Sequence, residues 1–306
     1  MATYIARRVL QMIPILIIVS MLAFMFVHLT PGDPIRIMYG SEIDQQTYQE
    51  LREREGFNDP LPLQYGRYMG RVLRGDFGVS YSTRSSVSGE IGRRFGNTLV
   101  LAIVSMAWAT AAGLAVGILS AVKRNSIWDR VGMILSVTSI SVPSFWLGLL
   151  MMQIFAVRLG WLPTSGIGGI KHIIMPAFVL GATVAAIIAR FTRSSLLETL
   201  GEDYIRTARA KGQSRRKVIF RHALRNALIP VVTMTGLQFG FLIGGAIAIE
   251  QVFSWPGLGS YLINSILNRD YPVVQALIML FAFQFLVVNL LVDITYAYLN
   301  PQIRYS

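Results

Sequence analysis

The polar side chains that lie inside or at the end of long apolar runs are the best candidates for functional chemistry in this chain. Asp293 lies in the last apolar run, with Asn289 one helical turn before it, and Glu250 closes the preceding run. A carboxylate at the centre of a bilayer costs roughly 2.5–3.5 kcal/mol, so these groups should face protein, water or an interface. They could offer hydrogen bonds to a polar solute that crosses a membrane. The alternative stays open that Asp293 and Glu250 simply reach water near the inner and outer ends of their helices.

Catalytic and metal-binding patterns are missing from the sequence. The histidines are His28, His172 and His222, and none has a second His, a Cys or a carboxylate at a ligand spacing. Cysteine is absent, and so is the Gly-x-Ser-x-Gly motif of a serine nucleophile. A phosphate-binding Gly-x-x-x-x-Gly-Lys-Ser/Thr loop is missing too, so any ATP must be bound by another polypeptide. The sequence therefore predicts no catalytic residue, metal or cofactor in this chain, and it favours a transport role over an enzyme.

The elements that must position the polar groups are membrane helices. Hydrophobic residues make up 53% of the 306 residues and charged residues only 14%, which is too apolar for a soluble domain. Six runs are long enough to cross a bilayer, which takes roughly 20 residues in a helix, and the fourth of them is short. They are Val9–Leu29, Asn97–Val122, Val131–Val157, Ile173–Ala189, Leu228–Ile249 and Val273–Leu299. We therefore predict an all-α polytopic membrane protein with six transmembrane helices.

The placement of basic residues predicts the topology. The net charge is +12, but the cations are concentrated in segments that are cytoplasmic if the amino terminus lies inside. Segment 190–227 alone holds ten Lys and Arg, whereas segments 158–172 and 250–272 together hold three. This pattern is not the basic face of a nucleic-acid-binding domain. We expect both termini in the cytoplasm, with lipid rather than nucleic acid around the chain.

The chain divides into three parts on this topology. Residues 1–29 form an amino-terminal tail and the first membrane helix, and residues 30–96 form an extracytoplasmic region with helices near Tyr48–Glu55 and Leu63–Leu73. Residues 97–306 form a five-helix core with a cytoplasmic loop at 190–227.

A few residues within the apolar runs are candidates for lining a pathway. Pro143 breaks the third run and is flanked by Ser141 and Ser144, and a proline at this depth frees backbone carbonyls that need other partners. A structural kink whose carbonyls are satisfied by the serines is the open alternative. Gln238 and Gln284, together with Asn289, are the other predicted pathway groups.

The basic loop holds the most specific pattern. Tyr204–Gly212 is helix-prone and ends at a glycine, an order that attraction to anionic lipid does not explain. Ala208 and Gly212, with three residues between them, resemble the Ala-x-x-x-Gly end of the motif that permeases of ABC importers present to their ATPases. Arg206 stands where that motif has glutamate and His222 where it has isoleucine. Tyr204–Gly212 followed by Arg221–Ala227 is similar to the peptide, nickel and glutathione permease family.

Other stretches along nearly the whole chain resemble the same family. They are Ala6–Arg8, His28–Pro34, Gly75–Ser80, Ser141–Ser144, Gly160–Pro163, Glu250–Gly259, Asn268–Pro272 and Asn300–Tyr305. The residues around Gly201–Tyr204 and Gly236–Gly240 are most similar to glutathione-importer permeases.

The resemblance implies a type I ABC importer permease fold in the bacterial inner membrane, with an extracytoplasmic cap after the first helix. It also implies a second homologous permease subunit, two ATP-binding subunits that carry ATP and Mg, and an extracytoplasmic substrate-binding protein. The ATPase-coupling residues that it implies are Asp203, Tyr204, Arg206, Thr207, Ala208, Arg209, Ala210, Lys211 and Gly212. The residues that it implies for docking of the binding protein are Asp76, Trp255, Arg269 and Asp270.

The cargo implied by the resemblance is a short peptide or a peptide-like solute: a dipeptide, an oligopeptide or glutathione. Chelated nickel is an alternative cargo within the same family. An alternative class is a secondary transporter driven by an ion gradient, but the inverted repeats and mid-membrane carboxylates typical of such carriers are not evident.

Overall fold

The structure is a computed structural model that describes residues 2–29, 32–40 and 42–299. Within these ranges the regular structure is helical, and the β-structure is limited to one bridge between Val79 and Ser86. The family-like stretch at 300–305 and part of the His28–Pro34 turn lie outside the described residues.

The helices are named in chain order. They are α1 (Ala2–Leu29), α2 (Pro34–Tyr39), α3 (Gln45–Arg54), α4 (Leu61–Val72), α5 (Val87–Val122), α6 (Ile127–Ser141), α7 (Ser144–Met151), α8 (Ile170–Gly201), α9 (Asp203–Ala210), α10 (Arg215–Lys217), α11 (Leu224–Val252), α12 (Leu258–Leu267) and α13 (Tyr271–Leu299). Two π-helical segments adjoin them: Met152–Arg158 continues α7, and Val218–Ala223 joins α10 to α11.

Five of the described helical segments are long and apolar enough to cross a membrane, and the number is six if one bent helix pair counts as a single span. The five are α1, α5, α8, α13 and the continuous segment Arg215–Val252, which contains α11. The bent pair is α6 and α7, and it corresponds to the predicted run Val131–Val157. The all-α polytopic architecture expected from the sequence is confirmed.

The bend between α6 and α7 has a local cause. The two helices differ in direction by 104°. Pro143 has no N–H and disfavours helical backbone at the residue before it, and Val142 is accordingly extended, with φ −83° and ψ 125°. The hydroxyl of Ser141 donates to the carbonyl of Val137 at 3.0 Å, so this serine bonds within its own helix.

The described chain forms two compact units, the first of which contains residues 98–256 and 287–299. In this unit α11 packs mainly on α8, and α8 also packs on α6 and α7. Gly113 and Gly117 let α5 lie against α8, because a Cβ at either position would come within 2.8 Å or less of a backbone carbonyl oxygen of α8. Small residues thus serve close helix contact, as is common in membranes.

The second unit contains the described parts of 2–97 and 257–286. In it α4 packs on α1, where Ser20 and the Tyr65 hydroxyl are hydrogen-bonded at 2.7 Å. Asp33 caps α2 and accepts a hydrogen bond from Tyr48 of α3 at 2.6 Å. Helix α12 lies in segment 250–272, which holds few basic residues and which the predicted topology places outside the cytoplasm. The three-part division of the chain stays a prediction.

Candidate functional site

Helix α9 lies within the basic segment that was predicted to couple the chain to an ATPase. It begins after Glu202, whose backbone is extended, and it is followed by Lys211 and Gly212. Gly212 has φ +75°, a left-handed conformation that glycine adopts without steric cost. The backbone conformation that follows α9 therefore favours glycine at this position. Most of the predicted 190–227 loop is otherwise helical, because α8 continues to Gly201 and the next span begins at Arg215.

Ile205 anchors α9 to the helices of the first unit. Its side chain is completely buried in a cluster with Leu196 of α8 and Val218 and Ala223 of the π-helical segment. Ala208, one turn further along α9, packs partly against the same cluster. Ile205 was not among the coupling residues predicted from the sequence. A usable signal existed, since Ile205 is the only Val, Leu or Ile between Leu200 and Val218.

Polar contacts hold the same region at its edges. The Asn226 carboxamide donates to the hydroxyl of Tyr204 at 2.8 Å, which ties α9 to the start of α11. Arg215 donates to the carbonyl of Val122 at 3.0 Å, which ties the following segment to the end of α5. Helix α9 is thus fixed to α8 by packing and to α11 by a hydrogen bond, and the segment that follows it is bonded to the end of α5.

The outer face of α9 is exposed and mainly cationic. Arg206, Thr207, Arg209, Ala210 and Lys211 are all exposed. Arg206 pairs with Asp203 at 3.1 Å, but both side chains are largely in solvent, where an ion pair contributes little to stability. This face is therefore available to a partner, and the coupling role of its residues stays a prediction.

A second fixed point in the first unit was not anticipated from the sequence. Arg193 of α8 makes two parallel bonds to the carboxylate of Asp129 at the start of α6, at 2.6 and 2.9 Å. The backbone N–H of Asn125 donates to the same carboxylate at 2.9 Å. Asp129 is buried, so this bidentate pair holds the α5–α6 turn firmly against α8.

Several predicted pathway residues have carboxamide groups that the described chain leaves unsatisfied. The carboxamide oxygens of Gln284 and Asn289, both on α13, are buried and have no hydrogen-bond partner among the described residues. An unpaired buried acceptor costs about 1–3 kcal/mol, which favours a further partner at each position. Gln238 on α11 is partly buried, Ser144 begins α7, and Pro143 lies at the bend. Their lining of a pathway stays a prediction.

Glu250 does not reach water. Its side chain is completely buried, and the hydroxyl of Thr98 donates to its carboxylate at 2.6 Å. The interpretation that Glu250 simply contacts water at a helix end is therefore wrong. The carboxylate instead joins α11 to α5.

The residues proposed for docking a binding protein differ in exposure. Asp76 and Arg269 are exposed, whereas Trp255 and Asp270 are each buried. A buried side chain can serve docking only through the segment that it positions. The docking role of all four residues stays a prediction.

Asp270 positions the turn that follows α4. Its carboxylate accepts hydrogen bonds from the Ser80 hydroxyl at 2.5 Å and from the Ser82 hydroxyl at 2.8 Å. It also accepts from the backbone N–H groups of Tyr81 and Ser82 at 3.0 and 3.2 Å. We call residues 75–86, which include the Val79–Ser86 bridge, the cap hairpin. Asp270 therefore fastens the cap hairpin to the start of α13.

Among the described residues, no group of three or more His, Asp or Glu side chains is arranged to hold a metal ion.

Comparison with known proteins gives consistent matches along the chain. Residues 113–305 match the family described as "Binding-protein-dependent transport system inner membrane component", and residues 1–102 match the amino-terminal family of the same membrane components. The chain is 55% identical to the glutathione transport system permease protein GsiC of Salmonella paratyphi A and 52% identical to that of Escherichia coli strain K12. Both alignments span 306 residues and cover all of each chain.

Solved structures with a similar fold are also transporters. An inward-facing structure of the MetNI methionine ABC transporter has a TM-score of 0.60 at 21% identity, covering 69% of this chain and 96% of that chain. An amino acid ABC transporter with histidines has a TM-score of 0.57 at 14% identity, covering 69% of this chain and 94% of that chain. At these identities the similarity shows the fold.

Proposed function

Because the chain belongs to the family of inner membrane components of binding-protein-dependent transport systems, we propose that it forms the membrane pathway of an importer for short peptides or peptide-like solutes. It is a multi-pass permease subunit of an ABC importer, and its relatives are transport permeases rather than enzymes. Glutathione is the cargo that we propose first. The observation that supports this choice is 52–55% identity, over the full length of both chains, to permeases named for glutathione transport.

The proposed assembly contains four further components. A second homologous permease completes the pathway, two ATPase subunits bind ATP and Mg, and a substrate-binding protein delivers cargo from outside. The exposed face of α9 supports a partner on the cytoplasmic side, because its cations lie on an anchored helix and are not neutralised by strong internal ion pairs. The unsatisfied carboxamides of Gln284 and Asn289 support a polar partner within the membrane.

The proposed coupling step passes through Ile205. Movement of an ATPase bound to α9 would displace Ile205, which packs against Leu196 on α8 and Val218 before α11. Close-packed side chains transmit such displacements because they resist compression. The Tyr204–Asn226 bond adds a second link to α11. We propose that these links switch the membrane helices between inward and outward access as a two-state change.

The proposed orientation places both termini and α9 in the cytoplasm, in the inner membrane of a bacterium. The excess of basic residues at 190–227 supports it. The cap hairpin and helices α2–α4 then lie on the outer side.

Uptake by a reconstituted complex tests this function. We expect labelled glutathione to enter proteoliposomes that contain the chain, its second permease, the ATPases and the binding protein, only when ATP and Mg are supplied to the ATPase side. Ionophores that dissipate ion gradients should leave the uptake unchanged. A nickel chelate and a dipeptide, each offered as competitor, test the alternative cargoes.

Two outcomes would reject the proposal in different ways. Uptake by the chain alone that stops when an ion gradient collapses would establish the secondary-carrier alternative. ATP-driven uptake of the nickel chelate or the dipeptide without uptake of glutathione would keep the importer and replace its cargo.

A further inference from the structure

A cavity of about 880 Å³ lies in the second unit, outside the predicted coupling and pathway residues. Its walls come from α1, α2, the end of α3, α4, the cap hairpin and the start of α13. Small-molecule sites typically measure about 300–1,000 Å³, so this cavity has the size of a ligand site. The Asp270 bonds to the cap hairpin keep one of its walls in place.

The lining of the cavity is strongly cationic. Five arginines and two carboxylates line it, an excess of three positive charges among these side chains. Three of the arginines, Arg67, Arg71 and Arg74, follow one another at helical spacings of four and three residues, so they lie near one face of α4 and its extension. Like charges at these spacings repel one another. An anion in the cavity would offset this repulsion.

Two of these guanidinium groups are unpaired. Arg67 is neutralised by Asp59 at 2.6 Å, and Arg54 contacts Glu55 at 3.3 Å. In the part of the chain that the structure describes, Arg71 and Arg74 form neither an ion pair nor a side-chain hydrogen bond. Both are exposed and line the cavity, so their donors are available to a ligand. Guanidinium groups suit planar anions such as carboxylates, to which they can donate two bonds at once.

Tyr68 adds an independent indication of a ligand. Its side chain is only 8% exposed and contributes to the cavity wall. Its hydroxyl has no hydrogen-bond partner among the described residues, although a buried hydroxyl without one is costly. Burial raises the pKa of Tyr68 to about 12, so the group keeps its proton at neutral pH and can donate to an anion.

The remaining walls are partly aromatic. Phe24, Tyr39, Phe57 and Phe77 line the cavity together with the charged groups. Aromatic side chains supply large apolar contact areas, which an inorganic ion would not use. The combination therefore fits an organic anion better than a bare one.

We propose that this cavity binds a small organic anion of the size of an acidic short peptide, with Arg71 and Arg74 receiving its carboxylates. The identification of the anion with a peptide rests on the proposed function, whereas the anion chemistry rests on the cavity itself. In an importer with the proposed orientation, the site holds anionic cargo on the outer side of the membrane.

Binding to the full chain in nanodiscs of neutral phosphatidylcholine tests the proposal without nucleotide or binding protein. The probe is glutathione, and the control ligand is a glutathione derivative in which both carboxyl groups are amidated. We expect glutathione to bind and the diamide not to bind. Replacing both arginines, Arg71→Gln with Arg74→Gln, should weaken glutathione binding by about tenfold or more, because both charge-assisted contacts to the carboxylates are lost.

The matched control is Arg93→Gln, which removes an exposed arginine of the same unit that does not line the cavity. It should leave glutathione binding unchanged. Replacement of both cavity arginines by lysine keeps the charges and should retain part of the affinity. Binding by this variant would show that changing both positions does not by itself misfold the chain. Equal binding of the diamide, equal binding by the double glutamine variant, or no binding by the unaltered chain would overturn the proposal.

Two additional ligands test whether the cavity binds a different kind of anion. Inorganic phosphate and an anionic phospholipid are each tested as competitors, and binding of either one without binding of glutathione would also overturn the proposal. Uptake by the complete complex is measured in parallel. If the complex takes up glutathione but the isolated permease does not bind it, the proposed cavity site is rejected and the transport function stands. If the permease binds glutathione but the complex does not take it up, the proposed transport function is rejected and the cavity site stands.

Discussion

The hydrogen bonds of the buried Asp270 carboxylate define its structural role. Two hydroxyl groups and two backbone N–H groups donate to it, all of them from residues 80–82. Four donors around one carboxylate compensate much of the cost of burying its charge. The residue therefore stabilises the cap hairpin, and through it a wall of the cationic cavity.

Replacing Asp270 with Asn should destabilise this unit. The carboxamide has one acceptor oxygen, and its NH2 group would face donors. We therefore expect the free energy of unfolding to fall by about 1–3 kcal/mol. The measurement is the thermal stability of the purified chain, together with protease cleavage within residues 75–86. The matched control is Asp76→Asn, because Asp76 is exposed and accepts one bond, from the Gly78 N–H at 2.9 Å. Equal effects of the two substitutions would contradict the anchoring role.

Helix α9 is an element whose position depends on one side chain. It has only eight residues, and helices of this length are not stable in isolation. Burial of Ile205 and the bond from Asn226 to Tyr204 supply the tertiary contacts that it needs. The exposed cations can vary in conformation while the helix itself stays in place.

Ile205→Ala should loosen α9 without preventing membrane insertion. Removal of a buried isoleucine side chain costs about 2–5 kcal/mol of packing, so we expect faster hydrogen exchange in residues 203–213. In the assembled complex, ATP hydrolysis should then drive less transport per ATP. Arg209→Ala is the control for exchange, because it alters the exposed face and not the anchor. Unchanged exchange in Ile205→Ala would show that other contacts hold the helix.

The distribution of basic residues between the two compact units bears on the orientation of the protein in the membrane. The first unit contains α9 and its basic surroundings, and the second contains the helices between the first two spans. Basic residues are retained on the cytoplasmic side during insertion, so the ten Lys and Arg of 190–227 favour that side for α9.

Cysteine labelling tests this orientation directly, since the chain has no native cysteine. Gln49→Cys and Ser214→Cys each introduce one thiol at an exposed position. We expect a membrane-impermeant maleimide to label Gln49→Cys in intact spheroplasts and Ser214→Cys only after permeabilisation. The unaltered chain is the control for background. The reverse pattern would invert the proposed topology.

Much of the architecture follows from local properties of the sequence. The apolar runs, Pro143 and Gly212 act through hydrophobic length and backbone geometry, which do not require knowledge of distant neighbours. This is why the spans, the break in the third run and the end of α9 could be predicted. The boundaries were less accurate. The predicted end at Ala189 marks the end of the apolar run, but α8 continues for twelve more residues, through a segment that contains charged side chains. Helix α12 was missed because its ten residues, although apolar, are too few to cross a bilayer and so do not form a predicted span.

The family-like motifs, the long apolar runs and the excess of basic residues at 190–227 can all be read from the amino-acid order. The fold was needed to find that Glu250 is buried against Thr98, that Arg193 pairs with Asp129 64 positions away, and that Ile205 anchors α9. It also decided that Arg71 and Arg74 lie beside Tyr68 at a cavity rather than on a plain solvated surface. The physical reason is that burial and pairing depend on which distant segments the fold brings together, whereas length, hydropathy and backbone preference are properties of each segment alone.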